Sequence, residues 1–131
     1  MSVARKHIML MLLACLVSTT AMAQNHIDEL VENFSTLGSA KFTSVVDRDP
    51  KTRRVVRVVK KLEINGTRAN QFSNAFREEK DTGSFTQQQD GDTETFTLTC
   101  EKPRQTRIYM LQQRGRPVAR YAKVIIFVKF K

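Results

Sequence analysis

The chain has 131 residues, 40% of them hydrophobic and 27% charged, with 22 Lys and Arg against 13 Asp and Glu. That is one domain's length with apolar content enough for a packed core, which excludes a disordered tail. Two cysteines and two histidines exclude a disulfide-dense scaffold and a multi-histidine metal centre, while the formal charge of +9 raises the question of a polyanionic partner.

The chain opens with Arg5 and Lys6, an unbroken apolar run from Ile8 to Val17, and then Ala21-Met22-Ala23. This charged, apolar, small-residue order predicts a secretory signal peptide over 1–23, cut between Ala23 and Gln24, followed by a single domain over 24–131. The apolar run is about ten residues, short of the ~20 that span a bilayer. A competing reading takes Leu12-Leu13-Ala14-Cys15 as a lipoprotein box, which would anchor the protein through Cys15. Leu13 fits that box poorly, and cleavage there would leave an apolar stretch from Leu16, so the Ala-x-Ala site is preferred. Cleavage removes Arg5, Lys6, His7 and Cys15, leaving 108 residues at +7 with one histidine, His26, and one cysteine, Cys100. An intramolecular disulfide is then impossible.

Ile27, Leu30, Val31, Phe34 and Leu37 recur at helical spacing, with Asn25 as N-cap, Asp28, Glu29 and Glu32 toward the positive end of the dipole, and Gly38 as the stop. Lys41 to Val46 reads as a strand and Asp47 to Lys51 as a turn. A second strand over Val55 to Ile64 places Val56, Val58, Leu62 and Ile64 on one face and Arg53, Arg57, Lys61 and Glu63 on the other. A second helix is expected from Arg68 to Lys80, with Ala69, Phe72, Ala75 and Phe76 on one side.

Four antiparallel strands complete the chain: Ser84–Gln89, Thr93–Cys100, Thr106–Gln113 and Val118–Phe130. Asp90-Gly91 supplies the strongest hairpin signal, since both residues tolerate the positive φ of a tight turn. The predicted fold is therefore α+β, an antiparallel sheet of about six strands carrying two helices, in the order αββ-αββ-ββ. Leu30 and Phe72, Phe34 and Phe76, and Phe42 and Phe85 recur at near-constant separations, a hint that the helix-hairpin unit is repeated.

Candidate catalytic chemistry fails on the residues. A nucleophile needs a base beside it, and His26 lies next to the mature N-terminus in the first turn of a helix. Cys100 continues the alternation of Phe96 and Leu98, so it reads as a small core hydrophobe. Asp90, Asp92 and Glu94 alternate as calcium ligands do, but the further ligands and closing glutamate are lacking. Thr93, Thr95, Thr97 and Thr99 read as one solvent-facing row of a strand. No catalytic residue, metal site or cofactor is expected, and the chain is read as not an enzyme.

The charge is concentrated. Residues 101–131 carry nine basic side chains against one acidic, whereas 65–100 carry three against six. Lys102, Arg104, Arg107, Arg114, Arg116, Arg120 and Lys123 surround the last two hairpin turns, and Arg53, Arg54, Arg57 and Lys61 form a second group. The candidate polyanion-binding residues are Arg53, Arg57, Lys61, Arg104, Arg107, Arg114, Arg116 and Arg120. A polyanion site needs these groups on one face, with an aromatic such as Tyr109 or Tyr121 beside them. The competing explanation is a solvated sheet whose Lys and Arg block edge pairing. The last strand adds another lead: Val124, Ile126, Val128 and Phe130 face one side and Ile125 and Phe127 the other, so it is either covered twice or exposes a patch for a partner.

Ala21-Met22-Ala23-Gln24, the opening Ile27-Asp28-Glu29-Leu30-Val31 and the block Lys41-Phe42-Thr43-Ser44-Val45-Val46-Asp47-Arg48-Asp49-Pro50 resemble a family of small secreted proteins of unknown function from Gram-negative gut anaerobes. The resemblance implies an envelope location and transfers no site residues. The expectation is an exported protein of the periplasm or cell surface, without a membrane span. It is read as a non-enzymatic module that binds an unknown envelope component, protein or polyanion. The alternative is a polyanion-binding protein, for nucleic acid, acidic glycan or lipopolysaccharide, using the basic C-terminal hairpins.

Overall fold

A computed structural model describes residues 25–115 and 118–131. The predicted signal peptide, its cleavage site at Ala23 and Gln24, the alternative anchor Cys15 and the candidate Arg116 lie outside the described residues. The elements run α1 (His26–Ser35), β1 (Lys41–Arg48), β2 (Val55–Asn65), α2 (Gln71–Glu78), β3 (Ser84–Asp90), β4 (Thr93–Glu101), β5 (Gln105–Arg114) and β6 (Tyr121–Phe130). All six strands form one antiparallel sheet in the order β1-β2-β6-β5-β4-β3. The α+β class and the succession αββ-αββ-ββ therefore hold.

The strand β6 is drawn into the middle because it is the most apolar, and a central strand has neighbours on both sides. The hairpins β1-β2 and β3-β4 flank the β5-β6 pair at opposite edges. This order and these strand directions are those a two-fold axis normal to the sheet would generate, exchanging the two helix-hairpin units.

Both helices lie on one face. There Leu62, Ile64, Phe96, Leu98, Tyr109, Leu111, Val124 and Ile126 meet Ile27, Val31 and Phe34 of α1 and Phe72, Ala75 and Phe76 of α2. The helices touch through Phe34 and Phe72, whose ring centres are 5.3 Å apart, and Phe96 packs against Phe76 at 6.2 Å and Phe85 at 5.9 Å. Rings at these separations and tilts add edge attraction to area burial.

Asn25 caps α1 with a full capping box: its side chain accepts from the Asp28 N–H, and the Asp28 carboxylate accepts from the Asn25 N–H. The helix then stops at Ser35 with Thr36 as its cap. Gly38, expected to be the stop, is not left-handed, because two 3.1 Å bonds to the carbonyls of Phe34 and Leu37 already turn the chain. The second helix starts later than its apolar spacing implies. Thr67–Asn70 form a 3-10 turn, whose cap position Gly66 has no side chain to hold an α-helical start, and the α-helix proper begins at Gln71.

Two further expectations are corrected. The last strand begins at Tyr121, not Val118, because the Arg120 N–H bonds back to the Arg114 carbonyl at 2.8 Å and its carbonyl accepts from Gly66 at 2.7 Å, which spends that backbone on the turn. In the β3-β4 hairpin Asp90 ends the strand, paired with Thr93, and Gly91 alone supplies the positive φ, at 64°. Glycine thus stands first of the two turn residues, its place in a II′ turn.

Candidate functional site

The face of the sheet turned away from the helices is covered by no other element among the described residues. Alternation along each strand assigns its side chains. Strand β2 contributes Arg57, Val59, Lys61 and Glu63, strand β6 Tyr121, Lys123, Ile125, Phe127 and Lys129, and strand β5 Thr106, Ile108, Met110, Gln112 and Arg114. Register sets them side by side. Val45, Val59, Phe127 and Ile108 form one apolar row across four strands, and Ile125 and Met110 stand in the next, beside Lys61 and Thr97. Val45 is 56% exposed.

Cations bracket this apolar centre. At one end Arg57 pairs in register with Lys129, and the Arg57 guanidinium lies 5.6 Å from the Phe127 ring centre. At the other, Arg114 lies 4.4 Å from the Tyr121 ring centre, and with Lys123, Thr93 and Gln112 these residues line a cavity of about 290 Å³. Lys61 donates to Glu63 at 3.1 Å, which holds that half-buried carboxyl below the usual carboxylate range. Strands β2, β6 and β5 thus present five cations, Arg57, Lys61, Arg114, Lys123 and Lys129, and one carboxylate, Glu63, already engaged, while Asp47 of β1 stands in register beside Arg57 and Glu101 of β4 beside Thr106.

The predicted polyanion residues divide. Arg57, Lys61 and Arg114 share the open face, with Tyr121 among them. Arg53, at φ 61°, sits in the β1-β2 turn, and Arg104 in the β4-β5 turn. Arg120 is exposed in the β5-β6 turn, at the opposite end of the sheet from Arg104. Consecutive turns of an antiparallel meander alternate ends, so residues close in sequence stand about 34 Å apart across a ten-residue strand.

Arg107 points to the helix side. Its Nη1 donates to Asp28 Oδ2 at 3.2 Å and to the Tyr109 hydroxyl at 3.3 Å, and the Tyr109 O–H donates to the same Asp28 oxygen at 2.8 Å. Asp28 and Tyr109 are buried, 6% and 2% exposed. Burial pushes the Tyr109 phenol well above its ordinary range, with Asp28 reinforcing the shift. Burial works against the Arg107 charge, but the hydroxyl and the carboxylate outweigh it and the net direction is up. This network pins α1 to β5. Sequence reading missed it because Asp28 on a helix and Tyr109 on a strand show no relation until the two are packed.

Cys100 is a free, buried thiol 3.7 Å from the Thr82 hydroxyl, as its alternation with Phe96 and Leu98 implies. A polar cavity of about 350 Å³ beside α2 is lined by Ser73, Arg77, Asp92, Glu94 and Gln113 among others. There Glu94 Oε1 accepts from Gln87 at 3.2 Å and from Gln113 at 3.4 Å, and lies 3.6 Å from Arg77. That turns Glu94 to the helix side, away from Asp90. Among the described residues no group of three or more His, Cys, Asp or Glu side chains is placed to hold a metal ion, and no helix is long and apolar enough to cross a membrane.

The family described as Domain of unknown function (DUF5024) matches residues 24–116. The chain belongs to this family. The match spans α1 through the end of β5 and leaves β6 outside it, although β6 is central to the sheet. No curated protein and no solved structure is significantly similar to the chain. Sequence reading singled out Ile125 and Phe127 but not their neighbours. Val59, Ile108 and Met110 carried the same signal, apolar residues on the nominally polar side of their strands.

Proposed function

We propose that this is an exported, non-enzymatic protein of the bacterial envelope that binds another envelope component through the open face of its sheet. One observation carries the reading: a continuous apolar row, exposed at Val45 and half-buried at Val59, Phe127 and Ile108, lies beneath no other described element on a sheet whose opposite face already holds the core. Contiguous apolar surface rimmed by polar residues marks an interaction site. The signal-peptide pattern over 1–23 supports export, and the sparse set of nucleophile, base and metal-ligating groups supports a binding role.

Cysteine protection in cells tests the reading, because Cys100 is buried and contributes little background. Val45→Cys on the open face should label more slowly with a membrane-impermeant maleimide in osmotically opened cells than after purification. Asn74→Cys on the exposed side of α2 should label alike in both settings. Equal labelling of the Val45→Cys protein in cells and in isolation refutes the reading. A mature chain that still carries residues 1–23 by intact mass refutes export.

A further inference from the structure

Resting on that reading, we infer that the open face docks on the surface of an anionic lipid bilayer, with the Arg114, Lys123, Tyr121 and Thr93 corner seating a lipid phosphate. Three features of the face bear on what occupies it.

The first is charge. Over the six strands the face carries six cations, Lys41 being the sixth, against Asp47, Glu63, Asp90 and Glu101. The excess is concentrated on β2, β6 and β5, which draws that part of the face to an anionic array, where juxtamembrane cations act additively. Among the described residues neither Arg114 nor Lys123 has a carboxylate within ion-pair distance. Asp90 stands two strands from Arg114 and Glu63 beside Lys123, but Lys61 holds Glu63 at 3.1 Å. Asp47 stands in register beside Arg57, Glu101 pairs with Lys131 at 3.3 Å and Asp90 lies opposite Thr93, so the carboxylates of the face sit away from Arg114 and Lys123 but offset part of the charge at the Arg57 end. A second copy laid face to face would set these cations against their own equivalents, which argues against self-association.

The second is the arrangement. The cations stand at both ends of an apolar centre: Arg57 and Lys129 beyond Phe127, and Lys123 and Arg114 beyond Ile125 and Met110. From Ile108 to Arg114 is about 20 Å along the strand. A nucleic acid or acidic glycan would contact the cations and leave the apolar rows wet. A bilayer surface meets both, since headgroup phosphates take the cations and the apolar rows rest at the acyl boundary.

The third is the corner cavity of about 290 Å³, where a guanidinium, an ammonium, the Tyr121 phenol, the Thr93 hydroxyl and the Gln112 amide converge. That set offers donors to a compact oxyanion.

The test is co-sedimentation of the exported, purified protein with vesicles of phosphatidylglycerol mixed into phosphatidylcholine, against pure phosphatidylcholine. Binding to the mixed vesicles, weakened by added salt and absent from the zwitterionic ones, is expected. The R114Q/K123Q variant should bind about thirtyfold more weakly, and R57Q/K129Q at the far end comparably. Ile125→Gln should weaken binding while leaving the circular dichroism spectrum unchanged, and Arg53→Gln with Arg104→Gln in the turns should change it little. Excess inorganic phosphate should compete poorly, because a lone anion uses only the corner.

Equal binding to both vesicle types, or binding untouched by both cation pairs, overturns the inference. So does heparin retention that shows the same variant pattern while vesicles stay unbound. If Val45→Cys is protected in cells and vesicles do not bind, the envelope-binding reading stands and the lipid assignment falls.

Discussion

Removing the Asp28 carboxylate tests how α1 is fixed to the sheet. In Asp28→Ala the Tyr109 O–H loses its 2.8 Å acceptor, the Arg107 guanidinium loses its counter-charge at 3.2 Å, and the Asn25 N–H loses its half of the capping box at 3.1 Å. Stranding a buried donor costs about 1–3 kcal/mol and losing one cap contact about 1 kcal/mol. Breaking a buried ion pair costs about 3–5 kcal/mol, and the low end applies because the Arg107 side chain retains 21% exposure and can recover water. These contributions share one oxygen and do not add, so the expected loss is about 3–5 kcal/mol, a large part of the ~5–15 kcal/mol of a small domain.

Urea denaturation followed by circular dichroism measures it, as a lower midpoint at unchanged slope. Glu101→Ala is the internal control. Its partner Lys131 lies at a similar 3.3 Å, but both side chains are about half exposed or more, so less than about 1 kcal/mol should be lost. Tyr109→Phe should be milder than Asp28→Ala, and the double variant should fall well short of the sum. A loss below about 1 kcal/mol for Asp28→Ala, or strict additivity with Tyr109→Phe, would refute the claim that the network is a unit.

The Tyr109 phenol adds a pH signature. Its folded value lies above the ordinary 10.0, so its stabilisation is complete below pH 10. As pH rises past that point the unfolded chain gives up the proton while the folded chain keeps it, and stability falls. A Tyr109→Phe protein should show a shallower alkaline decline, and identical slopes would count against burial as the cause. Gly83→Ala should destabilise by about 1–3 kcal/mol in the same assay, because a Cβ there would fall on the Thr99 carbonyl and within 3.1 Å of Cys100 Sγ; a neutral result would show that the β3-β4 edge gives way. Cys100 should react slowly with a thiol reagent under native conditions and rapidly in denaturant, and fast native reaction would contradict its burial.

Local pattern was enough to fix the elements. Spacings of three and four at Ile27, Val31 and Phe34, and of two at Phe96, Leu98 and Cys100, predict a helix and a strand whose buried faces are those observed. The Asn25 cap and the Gly91 turn were legible for the same reason, since each acts within three residues. Boundaries were less so. Val118 belongs to a turn because Arg120, two residues on, bonds to Arg114 and Gly66, partners no local pattern names.

The site depended on which strands became neighbours. The run of basic residues after Glu101 reads as one cluster in sequence, yet it splits between two ends and two faces. Successive meander turns alternate ends, and successive side chains alternate faces. Conversely Arg57, Lys129, Phe127 and Ile108, scattered over some 70 residues, stand together because β6 inserts between β2 and β5. Sequence by itself determined the class, the helices and strands, and which residues seek the core, because those follow from short-range periodicity and burial. Only the tertiary structure decided that Arg107 is spent inside on Asp28 while Arg57 and Arg114 remain outside around an apolar centre, because charge acts through distance in space and the strand order sets that distance.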